Sequence, residues 1–224
     1  MIAESLRAVR ARIEAAAKAC GRDPASVALV AVSKTKSPEM IREAYAAGQR
    51  AFGENYAQEL GDKAAALADL RDIAWHFIGH LQSNKAKLVA RVASVVHTVH
   101  SRDLASELGK RAVAAGRAPL TVLVSVKLSE EASKHGVAPS ELAALLDAIE
   151  KDERLRLRGL MTMPPPDDLA IAKRVFDELF ALRARHGGPA RLPELSMGMT
   201  HDLEIAIASG ATMVRVGTAI FGER

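Results

Sequence analysis

The sequence predicts an α/β fold: a single (β/α)8 barrel of the TIM type with an extra N-terminal helix, one domain over residues 1–224. Three observations predict it. Eight short apolar runs recur along the chain, separated by alanine-rich amphipathic stretches, the pattern of parallel strands joined by crossover helices. The first run leads into SKTKSP instead of a glycine-rich dinucleotide fingerprint, which weakens the open doubly wound sheet that the same alternation allows. Runs seven and eight both end in a glycine turn carrying a threonine, at the place where barrels often seat a phosphate.

The elements follow in chain order. Residues 2–19 interleave charged and apolar positions and form the extra helix. VALVAVS (27–33) is the first strand, and SPEMIREAYAAG follows it as a helix with Ser37 as cap, Pro38 at the first helical position and Gly48 past its end. The next strands are RAFGEN (50–55), WHFIG (75–79), VVHTVH (95–100) and LTVLVSVKL (120–128). SELAALLDAIEKD is a helix capped by Ser140, its aliphatic stripe turned to the core. RLRGLM (156–161) is strand six, followed by a stiff PPPDD loop, and ELSMG (194–198) and TMVRVGT (212–218) complete the set.

Composition excludes several function classes. A lone cysteine, Cys20, precludes a disulfide framework, and the charged N-terminus lacks a signal-peptide core, so a reducing, cytoplasmic setting is expected. No stretch is apolar enough to span a membrane. The formal charge of +4 and pI near 9.3 come from basic residues dispersed among acidic ones, and one tryptophan, two tyrosines and five phenylalanines offer little for base stacking. A small anionic ligand is expected in preference to nucleic acid, with a monomer as the oligomeric state.

Two places carry chemistry. Val30, Val32, Lys34 and Lys36 share one strand parity, so Lys34 continues a line of buried valines. A lysine so placed loses proton affinity and becomes an amine able to form a Schiff base with an aldehyde, although a lone lysine at a strand end more often snorkels to water. On strand eight, Met213, Arg215 and Gly217 point inward while Val214 and Val216 face the helices. An inward arginine keeps its charge and needs partners, and beyond it Gly217 and Thr218 form a phosphate seat. SMGMTHDLEIAIASG has the same layout, with Gly198 and then Thr200 or His201 opening a helix whose dipole favours Asp202 and Glu204. His76 and His80 have zinc-ligand spacing only on a helix, whereas WHFIGH reads as strand and loop; His97 and His100 fare no better, and no metal site is expected. Residues 152–156 form a mixed, solvated charge run.

The motifs AVSKTK, FGENYAQE, WHFIGHLQSNK, RGLMTM, SMGMTHD and VRVGTAIFG occur in this order along essentially the whole chain. Together they resemble the pyridoxal phosphate homeostasis protein family, whose fold is similar to the N-terminal barrel of bacterial alanine racemase. The resemblance implies that Lys34 holds pyridoxal 5′-phosphate as a Schiff base and that Arg215 faces the pyridine nitrogen. It places the cofactor phosphate on Met199, Thr200, Gly217 and Thr218, with Asn55 near the ring. This chain departs at Thr200, where relatives often carry serine, and at Lys127, where asparagine is usual; Lys134 matches a family lysine and receives no catalytic role. The implied function is to buffer the cofactor and deliver it to apo-enzymes, with no catalytic residue. An arginine donates to the ring nitrogen and leaves it unprotonated, which argues against transamination and elimination. Alanine racemase draws an essential tyrosine from a second, C-terminal domain, and neither Tyr45, within a helix, nor Tyr56, beyond strand two, is an evident replacement. The rivals are a racemase or lyase using the same cofactor, and an aldolase-like barrel in which Lys34 attacks a phosphorylated sugar.

Overall fold

The computed structural model describes residues 1–128, 136–165 and 168–223. Eight parallel strands close into a barrel in sequence order: β1 (Ala28–Val32), β2 (Ala51–Glu54), β3 (Ala74–Phe77), β4 (Val95–Val99), β5 (Leu120–Ser125), β6 (Leu155–Met161), β7 (Glu194–Ser196) and β8 (Met213–Val216). The helices of the first half are α1 (Ile2–Ala19), α2 (Pro38–Ala46), α3 (Ala57–Ala66), α4 (Ala86–Val92) and α5 (Arg102–Ala114). Those of the second half are α6 (Pro139–Glu150), α7 (Leu169–Arg185), α8 (Gly188–Arg191), α9 (Leu203–Ala208) and α10 (Thr218–Phe221). The expected (β/α)8 barrel with its extra N-terminal helix is the observed fold.

Strand alternation divides the apolar residues into two bodies. Phe52, Trp75, Phe77, Val96, Val122, Val124, Leu160, Leu195, Val214 and Val216 face outward and merge with the helices into the main core. Val30, Leu123 and Met213 face inward and form a separate cluster inside the barrel, with Ala51 and Val95 packed against it. Closure pairs β8 with β1 in a register that sets Arg215 beside Val30 and Val216 beside Ala31. The parity expected for β8 is therefore the observed one.

Some boundaries differ from expectation. β1 stops at Val32 and β5 at Ser125, so Ser33 and Lys34 belong to a turn in which the Lys36 amide donates to the Ser33 carbonyl at 3.0 Å. Ser37 does cap α2, accepting from the Met40 amide at 3.4 Å, and Gly48 follows that helix with a positive φ of 86°. Ser140 does not cap α6: the helix begins at Pro139, whose fixed φ suits the first position, and Ala138 occupies the cap. Neither Thr200 nor His201 opens α9; Asp202 does, because its carboxylate can satisfy the Met199 amide across the turn. Lys134 and part of the PPPDD loop lie outside the described residues.

Candidate functional site

Lys34, Asn55, Met199, Thr200, Arg215, Gly217 and Thr218, the residues the resemblance assigned to the cofactor, lie on β8 or on the turns that leave β1, β2, β7 and β8 at the C-terminal mouth of the barrel. Arg215 lies deepest. It is 3% exposed, donating from Nη1 to Ser196 Oγ at 2.7 Å and from Nη2 to the Thr162 carbonyl at 3.0 Å. Its partners are a hydroxyl and a carbonyl instead of a carboxylate. Burial brings its pKa down to about 10, with Asp202 opposing the shift, so the guanidinium stays protonated at neutral pH.

Behind Arg215 runs a polar chain that the sequence reading missed. Ser196 Oγ lies 2.9 Å from His97 Nδ1, and His97 Nε2 lies 2.8 Å from His76 Nδ1. Both histidines are buried. Desolvation pushes His76 down to about 4 and His97 well below the ordinary imidazole value, the latter further opposed in charging by His76 and Arg215. Arg215 donates to Ser196, and with two neutral imidazoles behind it the chain is satisfied throughout when Ser196 donates to His97 Nδ1 and the Nε2–H tautomer of His97 donates to His76. The signal was readable as inward parity on neighbouring strands, since His76 and His97 alternate with outward Phe77 and Val96. Among the described residues no group of three potential ligands could hold a metal ion.

On the far side of Arg215, the turns after β7 and β8 meet. Thr218 Oγ1 donates to Thr200 Oγ1 at 3.0 Å, so the two threonines expected from separate turns stand together. Gly198 has a φ of 92°, and a Cβ there would come within 2.5 Å of the Ala206 Cβ, so both backbone and space demand glycine. At Gly217 a Cβ would lie 3.2 Å from the Val32 carbonyl, so glycine lets this turn lie close against the end of β1. The amide of Met199 is engaged by Asp202 Oδ1. Glu204 pairs with Arg12 of α1 at 2.8 Å, and Arg12 also donates to the Thr200 carbonyl at 2.9 Å, which fastens the β7 turn to the extra helix.

Next to the β8 turn stand Lys34 and Asn55, on the turns that leave β1, the strand paired with β8, and its neighbour β2. Lys34 is half-buried on its turn, and the next residue, Thr35, has a φ of 64°. Asn55 follows β2 directly, and its Oδ1 is buried without a hydrogen-bond partner. Lys36 is directed elsewhere: its Nζ donates to the carbonyls of Gly222 at 2.9 Å and Glu223 at 2.7 Å. Between Asn55 and the β6 end is a cavity of about 70 Å³, lined in part by Asn55, His80, Thr98, His100 and Ser125. Of the two tyrosines, Tyr45 donates to Asp72 on α2's outer side, and Tyr56 is 56% exposed.

Comparison with known proteins places this arrangement. The family profile described as "Alanine racemase, N-terminal domain" matches residues 5–224. The pyridoxal phosphate homeostasis protein of Pseudomonas aeruginosa is 49% identical over 234 residues, covering 100% of this chain and 96% of that one. Its counterpart in Escherichia coli K12 is 44% identical over 230 residues, covering 100% and 97%. Among solved structures, PipY of Synechococcus elongatus PCC7942 with PLP bound superposes with a TM-score of 0.87 at 40% identity, covering 99% of this chain and 100% of that one. The chain belongs to the alanine racemase N-terminal domain family and, within it, to the pyridoxal phosphate homeostasis proteins.

Proposed function

We propose that residues 1–224 act as one domain that binds pyridoxal 5′-phosphate at the barrel mouth, buffers it and delivers it to apo-enzymes, without robust turnover of its own. The residues present fit the group. The paired Thr200 and Thr218 hydroxyls and the close approach at Gly217 suit its phosphate, with Met199 shaping the same turn. The partnerless Asn55 Oδ1 marks a buried polar position beside the ring. When bound, the cofactor supplies an aldehyde that condenses reversibly with a primary amine and a ring that can withdraw electrons. Lys34 provides the amine at the rim. Lys36, committed to the carbonyls of residues 222 and 223, is the weaker candidate.

The observation that carries the reading is the buried, protonated Arg215, locked by Ser196 and Thr162. It has protons to donate and none to accept, so a ring nitrogen facing it is held unprotonated and its electron withdrawal is weak. This supports binding over conversion. The names of relatives 49% and 44% identical support the same reading. The closed barrel pairs every strand and leaves no sheet edge for another copy, which supports a monomer. No helix among the described residues is long and apolar enough to cross a membrane, and Cys20 is a free thiol, in keeping with a cytoplasmic setting.

The test is to load the purified protein with pyridoxal 5′-phosphate, reduce with borohydride and map the labelled peptide. Label on Lys34 is expected, and label mainly on Lys36, Lys85 or Lys127 refutes the site. Loaded protein given alanine and serine should exchange its bound amine with no change in amino-acid chirality. Turnover at ordinary racemase rates, lost in Lys34→Ala, would make it an enzyme instead.

A further inference from the structure

We propose that Lys63, Glu54 and Glu59 are positioning residues for Lys34, forming a buried ionic clamp that fixes the turn on which the amine is presented. This deepens the cofactor-binding reading and rests on it. The clamp holds Lys34 by both of its neighbours in the chain. On one side, Ser33 donates from Oγ to Glu54 Oε1 at 2.6 Å, and its carbonyl accepts from Lys63 Nζ at 2.6 Å. On the other, the Thr35 amide donates to Glu59 Oε1. Lys63 closes the circuit, donating to Glu54 Oε1 at 2.8 Å and to Glu59 Oε1 at 2.7 Å, so its three protons have three acceptors.

Packing alone does not explain these residues. Ala57, Leu60 and Lys63 repeat at three-residue steps along the buried face of α3, where a leucine at the third position would complete an ordinary apolar stripe. Lys63 is instead 5% exposed, and Glu54, at the end of β2, is 0% exposed. Buried ion pairs are weak stabilisers because desolvation offsets their attraction, so their presence points to a demand for position. The backbone shows what is being positioned. Thr35 is β-branched yet holds a φ of 64°, a left-handed conformation that such residues resist, and the Glu59 carboxylate holds its amide there. Lys34 sits between the two anchored residues. Its amine must meet an aldehyde carbon fixed by the Arg215 side of the site on the neighbouring strand, and capture is sensitive to small misplacements.

The experiment uses pyridoxal 5′-phosphate and the full chain, with Lys63→Met, Glu59→Ala and Glu59→Gln made in wild type and in Lys34→Ala. Folding is checked by circular dichroism, and the rate of covalent capture is followed by absorbance. Amide exchange at Thr35 is measured without cofactor. Glu59→Ala is expected to slow capture by about tenfold and to speed Thr35 exchange, whereas Glu59→Gln, which keeps an acceptor, returns capture to within about threefold of wild type. In the Lys34→Ala background, Glu59→Ala should leave non-covalent affinity unchanged. Folded Glu59→Ala and Lys63→Met proteins that capture at the wild-type rate overturn the clamp while the binding reading stands. An equal loss of affinity in the Lys34→Ala background also overturns it, by showing general damage to the site. A wild-type protein that forms no adduct on Lys34 overturns both.

Discussion

The barrel has two interiors built on opposite terms. Between sheet and helices, Phe52, Phe77 and Phe176 are fully buried among aliphatic side chains, each large group contributing about 1.5–3 kcal/mol by leaving water. Inside the sheet, the small apolar cluster of Val30, Leu123 and Met213 gives way toward the mouth to His76, His97, Ser196 and Arg215. These polar groups lie as deep as the phenylalanines but must satisfy one another to stay there. The outer interior holds the barrel together. The inner one sacrifices hydrophobic stabilisation to keep a cation immobile beneath the mouth.

The difference can be broken most forcefully from outside. Phe77→Ala should lower the unfolding free energy by about 3–5 kcal/mol in a denaturant titration, because it leaves a cavity in the outer core. Acid should attack the inner interior next. His76 titrates near 6.5 when unfolded and about 4 when folded, so its stabilising contribution is complete above pH 6.5 and is lost as pH falls toward 4. That loss amounts to roughly 3 kcal/mol, and His97 adds to it in the same direction. His76→Gln keeps a hydrogen-bonding group without a titration, so thermal melts between pH 7 and about 4.5 should show a shallower acid limb than wild type; an identical limb would take His76 out of the linkage. The smallest effect is expected from Ser196→Ala, about 1–3 kcal/mol by thermal melt, since it leaves His97 and Arg215 each short of one partner. That variant should also alter the absorbance of bound cofactor, which no substitution in the outer core should do.

What could be read from sequence follows the same division. Outward positions announce themselves by period, and all eight strands and the inward direction of Arg215 were legible from alternation in stretches such as TMVRVGT. The inner chain depends on contacts between β3, β4 and β7, and His97 lies 99 positions from its partner Ser196. Local spacing therefore tested the histidines as zinc ligands and missed their cross-strand partnership. The Lys63 clamp was hidden for a related reason: a lysine on a helix reads as solvated unless its place on the Ala57–Leu60 stripe is weighed first. Ser140 failed as a cap because two candidate start signals were adjacent and the proline at 139 prevailed.

Val30, Leu123 and Met213 carry one more consequence. With Val30 beside Arg215 and Met213 beneath it, they fill the barrel interior, so a molecule resting above them has a single doorway. Arrival and departure then share one path, and a newcomer of the same kind must wait for the occupant to go. Traffic is sequential, like a turnstile, and the residence time of the occupant sets the ceiling on throughput however abundant the supply outside.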